Sequence, residues 1–174
     1  MNNNIETTIK SDKVYEGKII NLRVDSVELP DRKYSKREIV EHDGTVAIVV
    51  IKGRELLLLN HYRKAINKEL LEIPAGMIDK GETPLEAASR ELEEETGIIE
   101  PNPEFVMALY SSPGYSTEKI NFFYVIDPKN IGEQKENLDF AYYDIEKIGQ
   151  MINDLDITDM KTVIAYNIAK DLIK

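Results

Sequence analysis

Residues 76–98, GMIDKGETPLEAASRELEEETGI, hold a helix with both ends marked in the sequence, lying between stretches that read as strands. Thr83 is placed to cap it, Pro84 suits its first position, Glu86 closes a capping box, and Gly97 follows the last turn. The spacing predicts a helix over 84–96. Before it, 14–29 is β-rich, with Ile20, Leu22 and Val24 on one face, and Pro30 to Lys33 reads as a turn. Strands are expected at 37–41 and 45–51, the second buried on both faces because TVAIVVI is continuously apolar. A hairpin turn at 52–54 leads to a strand at 55–62, and three more are expected at 104–110, 120–126 and 139–145. A second helix is expected over 159–173, with Ile164, Ala165, Ile168, Ala169 and Leu172 as its apolar face, and a shorter one over 146–154. Strands on both sides of a central helix, followed by C-terminal helices, require a mixed sheet covered by helices. No repeat or linker splits the chain, and 174 residues suit one domain.

The helix carries an electrostatic conflict. Glu91, Glu94 and Glu95 stand at i, i+3 and i+4, where like charges cost about 0.2–0.5 kcal/mol per pair. They also crowd the last turn, where the macrodipole disfavours each anion by roughly 0.3–1 kcal/mol. Acidic runs are ordinarily a solvated face, and Glu86 with Arg90 has the spacing of a plain i, i+4 pair. Here the expected buried stripe is Leu85, Ala88 and Leu92, which puts the carboxylates beside the core. Arg90, next to Glu91, is placed to orient the first of them.

Composition narrows the function. A formal net charge of −10 and pI of about 4.8 argue against nucleic acid and against anionic membranes. If such a chain binds a phosphorylated small molecule, cations must mediate. There is no Cys, hence no disulfide, thiolate metal site or cysteine nucleophile, which fits a reducing compartment. The start MNNNIETTIK lacks the apolar region of a signal peptide, and the apolar run 46–51 is too short to span a bilayer. A soluble cytoplasmic domain is expected.

The helix segment resembles the Nudix box, which pairs one glycine, an isolated glutamate, Arg-Glu, a Glu-Glu pair and a closing glycine at fixed spacings. Gly76, Glu82, Arg90, Glu91, Leu92, Glu94, Glu95, Gly97 and Ile98 fit every position. At typical residue frequencies a chance match is on the order of 10⁻⁸ per starting position. The resemblance implies hydrolysis of a nucleoside diphosphate linked to another moiety, a divalent-metal site on a loop–helix–loop, and an α/β/α sandwich. Oxygen-only donors agree with Mg²⁺, or Mn²⁺ as a substitute. Glu91 and Glu95 are the expected inner ligands and Glu94 the third. By resemblance the backbone carbonyl of Ala75 is a further ligand, Gly76 allows a close approach, and Glu82 tethers the loop.

Three flanks, 36–44 (KREIVEHDG), 60–76 and 111–119 (SSPGYSTEK), are similar to the ADP-ribose pyrophosphatase branch of that family. Pro113 lies fifteen residues past Ile98, as in that branch. What this implies for substrate contact is Arg37, Glu38, Arg63 and Glu118. Arg63 by itself fits either a surface ion pair or a phosphate clamp, and 112–115 could be only a turn. The branch usually has Gln where His61 stands. DMKTVIAY, from Asp159, is a weaker likeness. A general base is expected from the acidic loop 132–139, with Glu136 favoured by spacing, Glu133 next and Asp139 also available; Glu94 is the alternative within the box. Relatives of this kind are usually homodimers. Residues 1–41 would then be a β extension serving dimerisation, with Arg37 and Glu38 acting across the interface, and 42–174 the Nudix domain. Rival readings are a GDP-mannose or dinucleotide pyrophosphatase, and a non-catalytic ADP-ribose sensor.

Overall fold

A computed structural model describes residues 5–173. They divide into two compact units, 5–44 with 109–120, and 45–108 with 121–173.

The first unit is built on an antiparallel meander of β1 (Thr7–Glu16), β2 (Asn21–Glu28) and β3 (Tyr34–Glu41). The β-rich stretch 14–29 takes in the end of β1 and all of β2, because Gly17 N–H donates to Ile20 carbonyl at 3.0 Å and reverses the chain. β1 begins well before residue 14 and is exposed along its whole length, so no burial pattern marks it in the sequence. Ile20 lies in the turn and not on a strand face. The buried positions of β2 are Asp25 and Val27. Asp25 is not left without partners there: Ser11 Oγ donates to it at 2.6 Å and Arg23 Nε lies 3.2 Å from it. The turn at 30–33 forms as expected, with Leu29 N–H donating to Lys33 carbonyl at 2.7 Å. The segment 109–120 belongs to this unit, which the sequence did not suggest: Val40 N–H donates to Tyr115 carbonyl at 2.8 Å, and Thr117 N–H to Val40 carbonyl at 3.0 Å.

The second unit holds the core. Its strands are β4 (Thr45–Lys52), β5 (Glu55–Arg63), β6 (Lys68–Glu72), β7 (Ala75–Met77), most of β8 (Glu104–Tyr110) and of β9 (Lys119–Ile126), and β10 (Asp139–Asp144), and its helices are α1 (Pro84–Thr96), α2 (Ile145–Asn153) and α3 (Met160–Leu172). The mixed sheet has the order β10-β5-β4-β9-β8, with β6 added to β5 and β7 to β4. β4 is buried on both faces. Val46, Ile48 and Val50 pack with Ala87, Ala88 and Leu92 of α1, together with Leu57, Leu59, Ile98, Phe123 and Val125. Ala47, Val49 and Ile51 point the other way by strand alternation, and α3 also packs on β4, so helices cover both faces. This is the expected helix–sheet–helix layering.

Two strands, β6 and β7, were not expected. They are only five and three residues long and lack alternation. Their pairing sets the site: Glu72 comes opposite Leu59, and Ala75 and Gly76 come opposite Ala47 and Val46. The stripe expected on α1 also needs correction. Leu85 is 50% exposed, and the buried positions are Ala87, Ala88, Glu91, Leu92, Glu95 and Thr96. Two carboxylates thus lie within the core-facing stripe itself.

Candidate active site

α1 starts and stops where its signals stand. Thr83 Oγ1 accepts from Glu86 N–H, Glu86 reaches back to Thr83 N–H at 2.8 Å, and Gly97 adopts φ +75°. The helical period then turns Glu91 and Glu95 toward β7, where they are 9% and 3% exposed. Ala75 N–H donates to Glu95 Oε2 at 3.0 Å. At Gly76 the space a side chain would need is taken by Glu91: a Cβ there would fall 1.9 Å from its Cδ. The requirement for glycine is therefore steric, set by the carboxylate. Burial pushes the Glu95 carboxyl up to about 8, helped by the charges of Glu91 and Glu136 and opposed by Ala75 N–H and Arg63. Burial also raises Glu91, against the pull of Arg90.

Arg90 organises the loop before the helix. Its Nε and Nη2 donate to the two oxygens of Glu82 at 2.9 Å each, and Nη2 also to Met77 carbonyl at 2.9 Å. Its Nη1 reaches Glu91 Oε1 at 2.7 Å and Glu94 Oε2 at 3.2 Å. Glu82 accepts in addition from Asp79 N–H at 3.0 Å, so it ties 76–82 to the helix. The plain pairing of Arg90 with Glu86 is not made, since Glu86 is spent on the cap.

The acidic loop lies against the C-terminal end of α1. Lys135 and Glu136 N–H both donate to Glu94 carbonyl, at 3.0 and 2.9 Å, and Gly132 N–H donates to Gly97 carbonyl at 2.6 Å. Gln134 Nε2 bridges Glu95 carbonyl at 2.6 Å and Leu138 carbonyl at 2.7 Å. These donors satisfy carbonyls that a helix end leaves unpaired. Glu136 is exposed, and its charge acts on Glu91, Glu95 and His61. Glu133 makes no side-chain hydrogen bond or ion pair among the described residues.

A second cluster was only partly visible in the sequence. Arg63 grips Glu72 with Nε at 2.7 Å and Nη2 at 2.6 Å. Lys161 Nζ lies 3.2 Å from Glu72 Oε2 and 2.7 Å from Asp159 Oδ1. Burial acts to raise Glu72, yet the Arg63 hydrogen bonds and the Lys161 charge prevail and hold it below the usual carboxylate range. His61 is lowered, by burial first and by the Arg63 charge second. In the sequence Lys161 carries no signal of this role, and Glu72 carries one, an acid inside the apolar LLEIP stretch.

Arg37, Glu38 and Glu118 lie in the N-terminal unit. Arg37 is engaged with Glu6, with Ser35 Oγ at 2.9 Å and with Lys36 carbonyl at 3.0 Å. Glu38 is exposed on β3 opposite Val24. Glu118 accepts from Ser111 Oγ at 2.6 Å, while its N–H donates to Ser116 Oγ at 3.1 Å.

Among the described residues no three acidic or histidine side chains converge closely enough to enclose a metal ion by themselves. What α1 and β7 offer is two buried carboxylates under mutual repulsion, with Glu94 beside them. That fits a hard dication completed by water and by phosphate oxygens, the usual arrangement for Mg²⁺.

Comparison with known families agrees with this geometry. The family model described as NUDIX domain matches residues 41–163. The chain belongs to the Nudix family. Residues 6–40 match the model described as nucleoside diphosphate sugar hydrolase N-terminal domain. Among relatives of this Nudix hydrolase, a methanol dehydrogenase activator of Bacillus methanolicus is 38% identical, over 92% of this chain and 90% of that one. An ADP-ribose pyrophosphatase of Bacillus subtilis is 35% identical with the same coverage. Another, from Mycobacterium tuberculosis, is 30% identical over 90% of this chain and 82% of that one. The fold matches the crystal structure of an ADP compounds hydrolase, with a TM-score of 0.83, 23% identity and coverage of 96% and 93%. No described helix is long and apolar enough to cross a membrane.

Proposed function

We propose that this Nudix hydrolase splits the diphosphate of ADP-ribose, or of a closely similar nucleoside diphosphate sugar, to AMP and a sugar phosphate in the presence of Mg²⁺. The observation that carries this reading is the buried Glu91–Glu95 pair held against Ala75 and Gly76, with Arg63 electrostatically coupled to Glu95. The names of the two ADP-ribose pyrophosphatases support the substrate.

Glu91, Glu95 and the Ala75 carbonyl would hold the metal, with Glu94 at its margin. When bound, it offsets diphosphate charge, polarises phosphorus and acidifies water. The chain's own residues do the rest. Glu136, on a loop fastened to α1, takes the proton of the attacking water, with Glu133 the lesser alternative. Water oxygen bonds to one phosphorus as the bridging P–O bond breaks, leaving AMP and ribose 5-phosphate. Arg63 holds the non-reacting phosphate. Arg90 and Glu82 keep the 76–82 loop and the first carboxylate in place. Arg37, Glu38 and Glu118 are assigned to substrate contact.

We assign the protein to the cytoplasm and take it to be a homodimer through its N-terminal strands, whose Ile9, Val14 and Tyr15 are exposed; a monomer by light scattering would refute the dimer. Product analysis on ADP-ribose, GDP-mannose, diadenosine polyphosphates and oxidised nucleotides tests the substrate. AMP from ADP-ribose alone is the expected result, and GMP without AMP would overturn it. The Bacillus methanolicus relative carries a second reading, in which the chain raises the turnover of a partner dehydrogenase. Adding the chain to methanol dehydrogenase and measuring its rate checks that reading.

A further inference from the structure

We propose that Lys161, acting through Glu72, is a positioning residue for Arg63, keeping the outer edge of its guanidinium turned to the substrate's diphosphate. The inference rests on the diphosphatase reading above and adds to it a residue far away in sequence. Arg63 spends Nε and one Nη2 hydrogen on Glu72. Its Nη1 has no hydrogen-bond partner among the described residues, so one edge of the fork remains to grip a second oxyanion. Such a fork is only as well aimed as the carboxylate behind it. Glu72 is 2% exposed on β6, and an ionised group so placed needs more than one partner. Lys161 supplies the second at 3.2 Å.

Lys161 is itself fixed. Asp159 caps α3, accepting from Thr162 N–H at 2.9 Å and Thr162 Oγ1 at 2.7 Å through one oxygen, and from Lys161 at 2.7 Å through the other. Thr162 Oγ1 in turn accepts from Ile73 N–H at 3.0 Å, next to Glu72 in the chain. The first turn of α3 is thus fastened to the end of β6 at two points. Arg63 and Lys161 balance Glu72 and Asp159. Removing Lys161 leaves Glu72 with Arg63 as its one remaining cationic partner, which loosens the carboxylate and with it the guanidinium that it aims.

A double-mutant cycle separates this from a purely structural role of the network. Lys161→Met is expected to raise KM for ADP-ribose about tenfold while kcat changes less than about threefold. Lys161→Arg should restore most of the loss. In an Arg63→Met background, Lys161→Met should change KM less than about twofold, since the guanidinium it positions is gone. An unchanged KM in Lys161→Met, or the same loss in both backgrounds, overturns the proposal. If Lys161→Met fails to fold by circular dichroism, Lys161→Gln replaces it in the same cycle. If the wild type hydrolyses no nucleotide sugar, the diphosphatase reading fails separately. The cycle is then read as inorganic pyrophosphate affinity by calorimetry. A loss on Lys161→Met confined to the Arg63 background supports the proposal, and no loss, or no pyrophosphate binding by the wild type, overturns it.

Discussion

The backbone N–H of Ala75 donates to the carboxylate of Glu95 at 3.0 Å, joining a three-residue strand to the last turn of α1. This contact fixes one carboxylate of the buried pair while the missing side chain of Gly76 makes room for the other. Loop, helix and strand thereby present two acids whose repulsion a bound dication would relieve.

Neutralising either acid removes that demand. Glu91→Gln and Glu95→Gln should each lower kcat by several orders of magnitude with the fold retained. In metal-free solution the melting temperature of Glu95→Gln should hold or rise, because an amide escapes the penalty that burial puts on an ionisable carboxyl, the penalty that pushes Glu95 up to about 8. Steady-state kinetics and thermal melts check both, and near-wild-type turnover in the two variants would contradict the metal assignment.

Gly76→Ala places a Cβ where Glu91 Cδ lies. The carboxylate must swing aside, so Mg²⁺ affinity should fall at least about tenfold, while the backbone at 76, which has no positive φ, loses little stability. Calorimetric Mg²⁺ titration against a thermal melt shows the split.

The loop acids should separate clearly. Glu136→Gln is expected to reduce kcat by about 10²–10⁴-fold with KM nearly constant, the usual contribution of a general base. Glu133→Gln should stay close to wild type, as Glu136, and not Glu133, is among the leading charges acting on Glu91 and Glu95. The reverse ranking would move the base to Glu133.

Glu72 ties stability to acidity. Its folded-state pKa lies below the ordinary carboxyl value of 4.5, so its contribution is fully present above 4.5 and is lost as pH falls through the lower folded value. Urea melts from pH 6 down to pH 3 should show the wild type losing stability on this limb, and Glu72→Gln losing less. A variant with the same slope as the wild type would show that the pairing with Arg63 and Lys161 carries no such linkage.

What could be read from residues alone follows physical range. α1 was legible because both of its caps are local, and β4 because a continuous apolar run admits no exposed face. Glu91, Glu94 and Glu95 stood out because their conflict arises within one turn. Apolar residues alone point to a stripe through Leu85, whereas the helix buries two acids in its core-facing stripe and leaves Leu85 half exposed. β6 and β7 are too short to carry a period, and the meeting of Glu72 with Lys161 joins groups 89 residues apart. Neither leaves a local trace. The same holds for 109–120, whose place beside β3 is set by backbone hydrogen bonds to Val40 and not by side-chain pattern.

The most direct test of the central claim is phosphorus NMR of ADP-ribose incubated with the wild-type protein, first with Mg²⁺ and then with excess chelator. AMP and ribose 5-phosphate should accumulate with Mg²⁺ and stop on chelation. Intact ADP-ribose in both samples, or equal cleavage in both, would contradict a metal-assisted diphosphatase centred on Glu91 and Glu95.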